Sequence, residues 1–147
     1  MVSTRGYNQT IRGVRFGRSC GFNVIVSAML SPNGTPGAIL RGVLDGRLRL
    51  LVDNRIVFEY SNVLSRSKFR LDPHDVRAFL DFVEHEAEYV IAPPTAAQFD
   101  DPDDHPFYEV AVEGGANYLV TENGRHFPKN PIVSSPRHVL RVISARE

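Results

Sequence analysis

Apolar and polar positions repeat at two periods along this chain, and the switches between them mark its elements. Leu48-Arg-Leu-Leu-Val52, Tyr89-Val-Ile-Ala92 and Asn117-Tyr-Leu-Val-Thr121 are short apolar runs bounded by turn formers, the pattern of buried strands. Ile132-Val133 reads as one more short strand. Between these runs the period lengthens to that of a helix. Ile39, Leu40, Val43 and Leu44 share a face, after Thr35 as a cap and Pro36 as an opening residue. Ile56, Val57, Tyr60, Val63 and Leu64 share another, after Asp53 or Asn54 as a cap. Asp72 can cap a helix that opens on Pro73 and runs to about Glu88, with Val76, Phe79, Leu80 and Val83 inward. Pro106–Gly114 predicts a helix stopped by Gly114-Gly115, and Ser135-Pro136 opens a last one. Asn23–Leu30 is so densely apolar that it fits either the start of a buried helix or the end of a strand.

Strands thus alternate with helices, which predicts an α/β domain with a mainly parallel sheet and helices on both faces. The first 20 residues break the pattern. Their apolar residues are scattered among Gly, Arg and Ser, and Gly13–Phe16 makes at best a short edge segment. The expected organisation is a divergent basic segment over residues 1–21, a degraded first strand, followed by one domain over 22–147. No internal repeat or low-complexity tract is present.

Composition narrows the function classes. The chain has 147 residues, 42% of them hydrophobic, enough for one domain with a real core. Seventeen basic and seventeen acidic residues give a net charge of zero. The charge is unevenly spread, since residues 1–22 hold Arg5, Arg12, Arg15 and Arg18 and no acid. A neutral domain exerts no strong whole-molecule pull on nucleic acid, so any such contact must be local. The plainer reading of the basic arm is a solvated terminus. Cys20 is the only cysteine, which excludes an intrachain disulfide and a cysteine zinc site. His74, His85, His105, His126 and His138 lack tight metal-ligand spacing. No run approaches the roughly 18 apolar residues of a membrane span, and no signal-peptide core opens the chain, so a cytoplasmic location is expected.

In open parallel sheets, sites form beyond the carboxyl ends of the strands. Three places put acids or their isosteres there. Glu59 lies inside a helix between Phe58 and Tyr60; Asp101-Pro-Asp-Asp104 precedes the helix near Pro106; Thr121-Glu122-Asn123 follows a strand. Clustered oxygen ligands suit Mg²⁺ or Mn²⁺, ions that activate water and neutralise charge on a phosphodiester. Each place has a plainer reading when taken singly. Glu59 can reach solvent from the helix flank, the aspartates can form a solvated loop with one N-cap, and Asn123 can be a turn residue. Composition and spacing alone leave an α/β domain of unassigned activity.

The motifs in order say more. Asn23-Val-Ile-Val-Ser-Ala-Met-Leu-Ser-Pro-Asn-Gly34 resembles the opening of PIN domains, in the branch described as toxin components of toxin–antitoxin systems. Phe58-Glu-Tyr-Ser-Asn-Val-Leu64 with Ser67-Lys-Phe69 resembles the second signature of that branch. Asp101–Ala111 and Gly114–Asn123 resemble the third and fourth. The resemblance covers roughly residues 22–145, and four motifs in register make it specific.

It implies a three-layer α/β/α fold and a Mg²⁺- or Mn²⁺-dependent endoribonuclease. Carried over by position, Glu59 matches the second acid and Asp104 the third, both as catalytic metal ligands. Asn123 falls where many members have an aspartate, and is the third catalytic candidate. Thr121 matches a small hydroxyl residue lining the site, and Asn23 an asparagine that braces it. Ser27, Asp101 and Glu122 are further lining candidates. The resemblance also implies an RNA substrate, an antitoxin partner whose peptide arm covers the cleft, and a homodimer.

One corner departs from the pattern. The family opens with an apolar strand ending in Asp-x-Asn, and here that triplet is Gly21-Phe22-Asn23. Family-like sequence begins abruptly at Phe22, so the preceding residues read as a divergent or frame-altered first strand. Two carboxylates remain of the acidic set, and each lost anion weakens the hold on a poorly dehydrated cation. The second reading is therefore a catalytically inactive PIN fold that binds antitoxin or RNA. A third, an unrelated phosphate-binding α/β domain, lacks the Gly-rich strand-to-helix loop it needs.

Overall fold

Five short strands form a sheet in which every adjacent pair runs parallel. The computed structural model describes residues 11–16, 18–19, 22–94 and 104–145, with side chains from Val24 onward. The strands are β1 (Ile11–Phe16), β4 (Leu48–Val52), β5 (Glu88–Tyr89), β6 (Tyr118–Val120) and β7 (Val133–Ser134). Their order is β5-β4-β1-β6-β7. A separate antiparallel pair, β2 (Arg18–Ser19) and β3 (Phe22–Asn23), joins β1 to the first helix.

The position of β1 corrects the sequence reading. Ile11–Phe16 is the central strand, with Val14 opposite both Leu50 and Tyr118, rather than an edge segment from Gly13. Central parallel strands normally read as continuous apolar runs. Arg12, Gly13 and Arg15 interrupt this one, so its side-chain pattern hides a position that backbone pairing on both sides defines. Arg12, Arg15 and Arg18 consequently sit in strands and not in a loose arm.

The helices are α1 (Val24–Leu30), α2 (Thr35–Leu44), α3 (Asn54–Leu64), α4 (Pro73–Glu86), α5 (His105–Glu113) and α6 (Pro136–Ala145). They form two groups. Helix α2 packs on α1 and α6, and α3 packs on α4 and α5, while α2 and α5 both reach β4. This is the expected three-layer α/β/α arrangement. The ambiguous run after Asn23 is helix. Asp53 caps α3 by accepting the Ile56 N–H at 3.0 Å, and Asp72 caps α4 by accepting the His74 N–H at 2.8 Å. Each satisfies an orphan donor of the first turn. Helix α2 starts one residue earlier than expected, so that Gly34 and not Thr35 is its N-cap. Helix α4 stops at Glu86 because Ala87 turns extended, which frees Glu88 to open β5. The remaining rung of that ladder is the Val90 N–H bonded to Val52 O at 2.9 Å, and beyond it Ile91 is 95% exposed.

The core lies against both sheet faces. Tyr60 is fully buried and brings α3, α4 and α5 together, its ring 5.8 Å from Phe79 and 6.1 Å from Phe107. Helix α5 ends on Gly114, where an added Cβ would meet Leu51 Cδ2 of β4 at 2.5 Å. Gly115 follows with φ +64°, the left-handed conformation that glycine takes without penalty. No helix among the described residues is long and apolar enough to cross a membrane.

A candidate acidic cleft at the carboxyl edge of the sheet

Parallel strands put their carboxyl ends on one edge, and the elements that carry the candidate residues follow from it. Strand β4 leads directly into α3, β6 leads into Thr121–Asn123, and α5 starts on that edge as it crosses back from β5 to β6. Helix α3 carries Glu59 in its second turn. Tyr60 on one side is buried, Phe58 on the other is exposed, and the Glu59 Oε1 atom is shielded from solvent. Glu59 as a whole is half-buried, so one of its oxygens is withdrawn from solvent while the residue stays accessible. It opens on a cleft of about 640 Å³, lined among others by Arg55, Phe58, Asn62, Arg66 and Phe107. Pro106 and Phe107 bring the first turn of α5 to the same cleft.

Asp104 stands immediately before α5 and is only 2% exposed, with its Oδ1 atom shielded. It occupies the N-cap position, yet its side chain makes no capping bond. The carboxylate is thus set at the positive end of the helix without being consumed as a cap. Thr121 is also buried, and its Oγ1 accepts the Asn123 N–H at 3.1 Å. Its own N–H bonds Ser134 O at 2.9 Å, which ties the loop after β6 to β7. Asn123 is held half-buried by this turn, whereas Glu122 is exposed. Asn23 pairs with Arg18 in the β2–β3 hairpin, and Ser27 is half-buried on α1. Gly21, Asp101 and Asp103 lie outside the described residues.

The fastening of α3 to α5 is the part that sequence reasoning missed. Arg55 donates from Nε and Nη2 to Asp53 Oδ2 at 2.9 and 2.7 Å, and from Nη1 to Glu109 Oε1 at 2.7 Å. Glu109 is 5% exposed, on the inner face of α5 beside Phe107, Val110 and Ala111. Burial works against the Arg55 cation, and the hydrogen bonds and charges of Asp53 and Glu109 outweigh it, raising its pKa above the ordinary arginine value. One guanidinium thereby links the cap of α3 to the helix that Asp104 precedes. The signal was a carboxylate at an apolar helix position, where a buried charge requires a partner.

The end of β1 contributes no acid. The first carboxylate in the chain is Asp45, so neither β1, the hairpin nor α1 supplies one. Among the described residues no group of three or more His, Cys, Asp or Glu stands ready to hold a metal ion. The shielded oxygens of Glu59 and Asp104 still have the right chemistry for a hard cation. Mg²⁺ commonly takes one or two carboxylates and completes its shell with water and substrate phosphate. The donor set fits such an ion at reduced charge.

Comparison with curated proteins and with solved structures gave no match. Comparison with protein families gave one, the PIN domain, over residues 22–125. That span holds Glu59, Asp104, Thr121 and Asn123 in order and reaches from β3 past β6. The chain belongs to the PIN-domain family.

Proposed function

We propose that this protein is a metal-dependent endoribonuclease, the toxin of a toxin–antitoxin pair. PIN domains are in general metal-dependent nucleases. The observation that supports the reading is that Glu59 Oε1, on α3, and Asp104 Oδ1, immediately before α5, are both shielded from solvent, on elements that follow the strands of a parallel sheet. Glu59 and Asp104 would hold Mg²⁺ or Mn²⁺, which when bound supplies an activated water and charge neutralisation at the phosphodiester. The chain's own residues do the positioning. Arg55 ties α3 to α5 through Glu109, so Glu59 and Asp104 stand on elements joined by an ion pair. The Thr121 turn holds Asn123 half-buried after β6, and in this reading its amide would orient a water or act as a neutral ligand. RNA as substrate, an antitoxin whose arm covers the cleft and a homodimer belong to the same reading.

A second reading, a PIN fold that binds antitoxin or RNA without cutting, is favoured by the absence of a three-acid group among the described residues. One assay separates the two. Structured RNAs are incubated with the protein in Mg²⁺, Mn²⁺ or EDTA, beside Glu59→Gln and Asp104→Asn. The nuclease reading expects metal-dependent cleavage that falls about 100-fold or more in each variant. Absence of cleavage by the unaltered protein, or cleavage that survives both substitutions, defeats it.

A further inference from the structure

Helix α3 presents a line of residues that the acidic chemistry does not use. Phe58 is 68% exposed, the most exposed aromatic residue among those described. A single ring in water needs no explanation by itself. Its neighbours give it meaning. Arg55, Phe58 and Asn62 are spaced three to four residues apart on one face of α3, and with Arg66, two residues past its end, they line the cleft that holds Glu59. The helical part of the line, Arg55 to Asn62, is about 10 Å long at helical rise. Past the end of α3 it continues into Ser65–Arg70, where Arg66, Lys68 and Arg70 are exposed. Residues 54–71 hold Arg55, Arg66, Lys68 and Arg70 against one acid, Glu59, with Asp53 and Asp72 flanking them and Arg70 lining a pocket with Asp72 and Asp75. Arg55 is compensated by Asp53 and Glu109. No ion pair among the described residues engages Arg66, Lys68 or Arg70, and the Lys68 ammonium rests 5.1 Å from the centre of the Phe69 ring. Arg66 thus shares a cleft with the open Phe58 ring, and Lys68 and Arg70 follow it closely in the chain.

That combination suits one class of partner. Unpaired bases stack on aromatic side chains while cations follow the phosphates, and a base inside a duplex cannot offer its face. We propose that α3 and the segment after it form a track for single-stranded RNA. Phe58 stacks one base beside the Glu59 cleft, and the flanking phosphates pass over Arg66, Lys68 and Arg70. The inference rests on the nuclease reading of that cleft and gives it a specificity-determining residue, Phe58.

The test measures binding in EDTA, where no metal-dependent cleavage intervenes. The probe is a fluorescent single-stranded RNA of about 12 nucleotides, compared with the same strand annealed into a blunt duplex. Phe58→Ala is expected to weaken single-strand binding about tenfold and Phe58→Trp to restore it, with little change for the duplex. Replacing Arg66, Lys68 and Arg70 together with Ala should lower the slope of log affinity against log salt by about 2. Equal binding by Phe58→Ala and the unaltered protein overturns the proposal. So does a preference for duplex, or a Phe58→Ala effect confined to oligomeric mass in light scattering, which would make the ring a protein contact. Phe58-dependent binding without cleavage in Mg²⁺ leaves the track standing and removes the nuclease. Cleavage with Phe58-independent binding does the reverse.

Discussion

Helices α3 and α4 are built alike on the inside and differently on the outside. Each starts from an aspartate that accepts a first-turn N–H, and each buries an apolar stripe. The stripes meet where the Tyr60 ring packs edge-on against Phe79. The outer face of α4 follows the ordinary pattern. Arg77 reaches Asp81 one turn away at 2.6 Å, and the His85 ring sits 2.7 Å from the Asp81 carbonyl. Helix α3 inverts the pattern, with an aromatic ring in water at Phe58 and a carboxylate oxygen shielded at Glu59. Local rules broken on one helix and kept on its neighbour mark α3 as the place to look for a site, while solubility accounts for the outer face of α4.

The shared inner face sets the largest expected effect. Tyr60→Ala and Phe79→Ala each remove a ring from the same junction and should each cost about 3–5 kcal/mol in urea unfolding. Similar losses would mean that the helices differ only outside. A loss below about 1 kcal/mol for Tyr60→Ala would mean that α3 is not anchored by this core, and the contrast would then reach its inner face as well.

Much of this was legible in the sequence, and the illegible parts have physical causes. Strand β4, the Asp53 and Asp72 caps and the apolar stripes of α3 and α4 are local signals, each carried by residues a few positions apart. Strand β1 was misplaced at the edge because its centrality resides in backbone pairing to β4 and β6, which Arg12, Gly13 and Arg15 do not advertise. The β2–β3 hairpin has only two residues per strand, too few for periodicity to register. Glu59 and Asp104 could be singled out by motif and order. The bond from Arg55 to Glu109 spans 54 positions, and no local pattern pairs them.

That bond sets the next effect and sharpens the contrast. Both helices carry an arginine–carboxylate pair, but Glu109 is 3% exposed in its side chain and Asp81 is 52% exposed. Arg55→Ala strips a partner from a buried carboxylate and should destabilise by about 1–3 kcal/mol, the range reduced because Arg55 is itself half in water. Chemical denaturation measures it. Arg55→Met combined with Glu109→Leu should recover most of the loss, since an apolar pair of similar volume replaces a buried ion pair at little cost. No recovery would indicate that the charges are needed beyond mutual satisfaction, for instance to keep α5 aligned with Glu59.

The smallest effect belongs to the outer pair of α4. The Arg77 hydrogen bond, opposed by desolvation and helped by the charges of Arg77 and His85, lowers the Asp81 pKa below the ordinary aspartate value. A depressed carboxylate contributes stability above its unfolded pKa, near 3.9, and that contribution disappears as pH falls through the lower folded value. Both side chains stand in water, so the contribution is screened, and Asp81→Asn should leave the melting temperature near neutral pH within measurement error. The acid unfolding limb is where the pair can register, as a slightly flatter fall below about pH 4 in the variant. A clear loss of stability at neutral pH, persisting in high salt, would show that the outer face of α4 bears load as α3 does. The two helices would then no longer divide into one shaped for solubility and one shaped for a site.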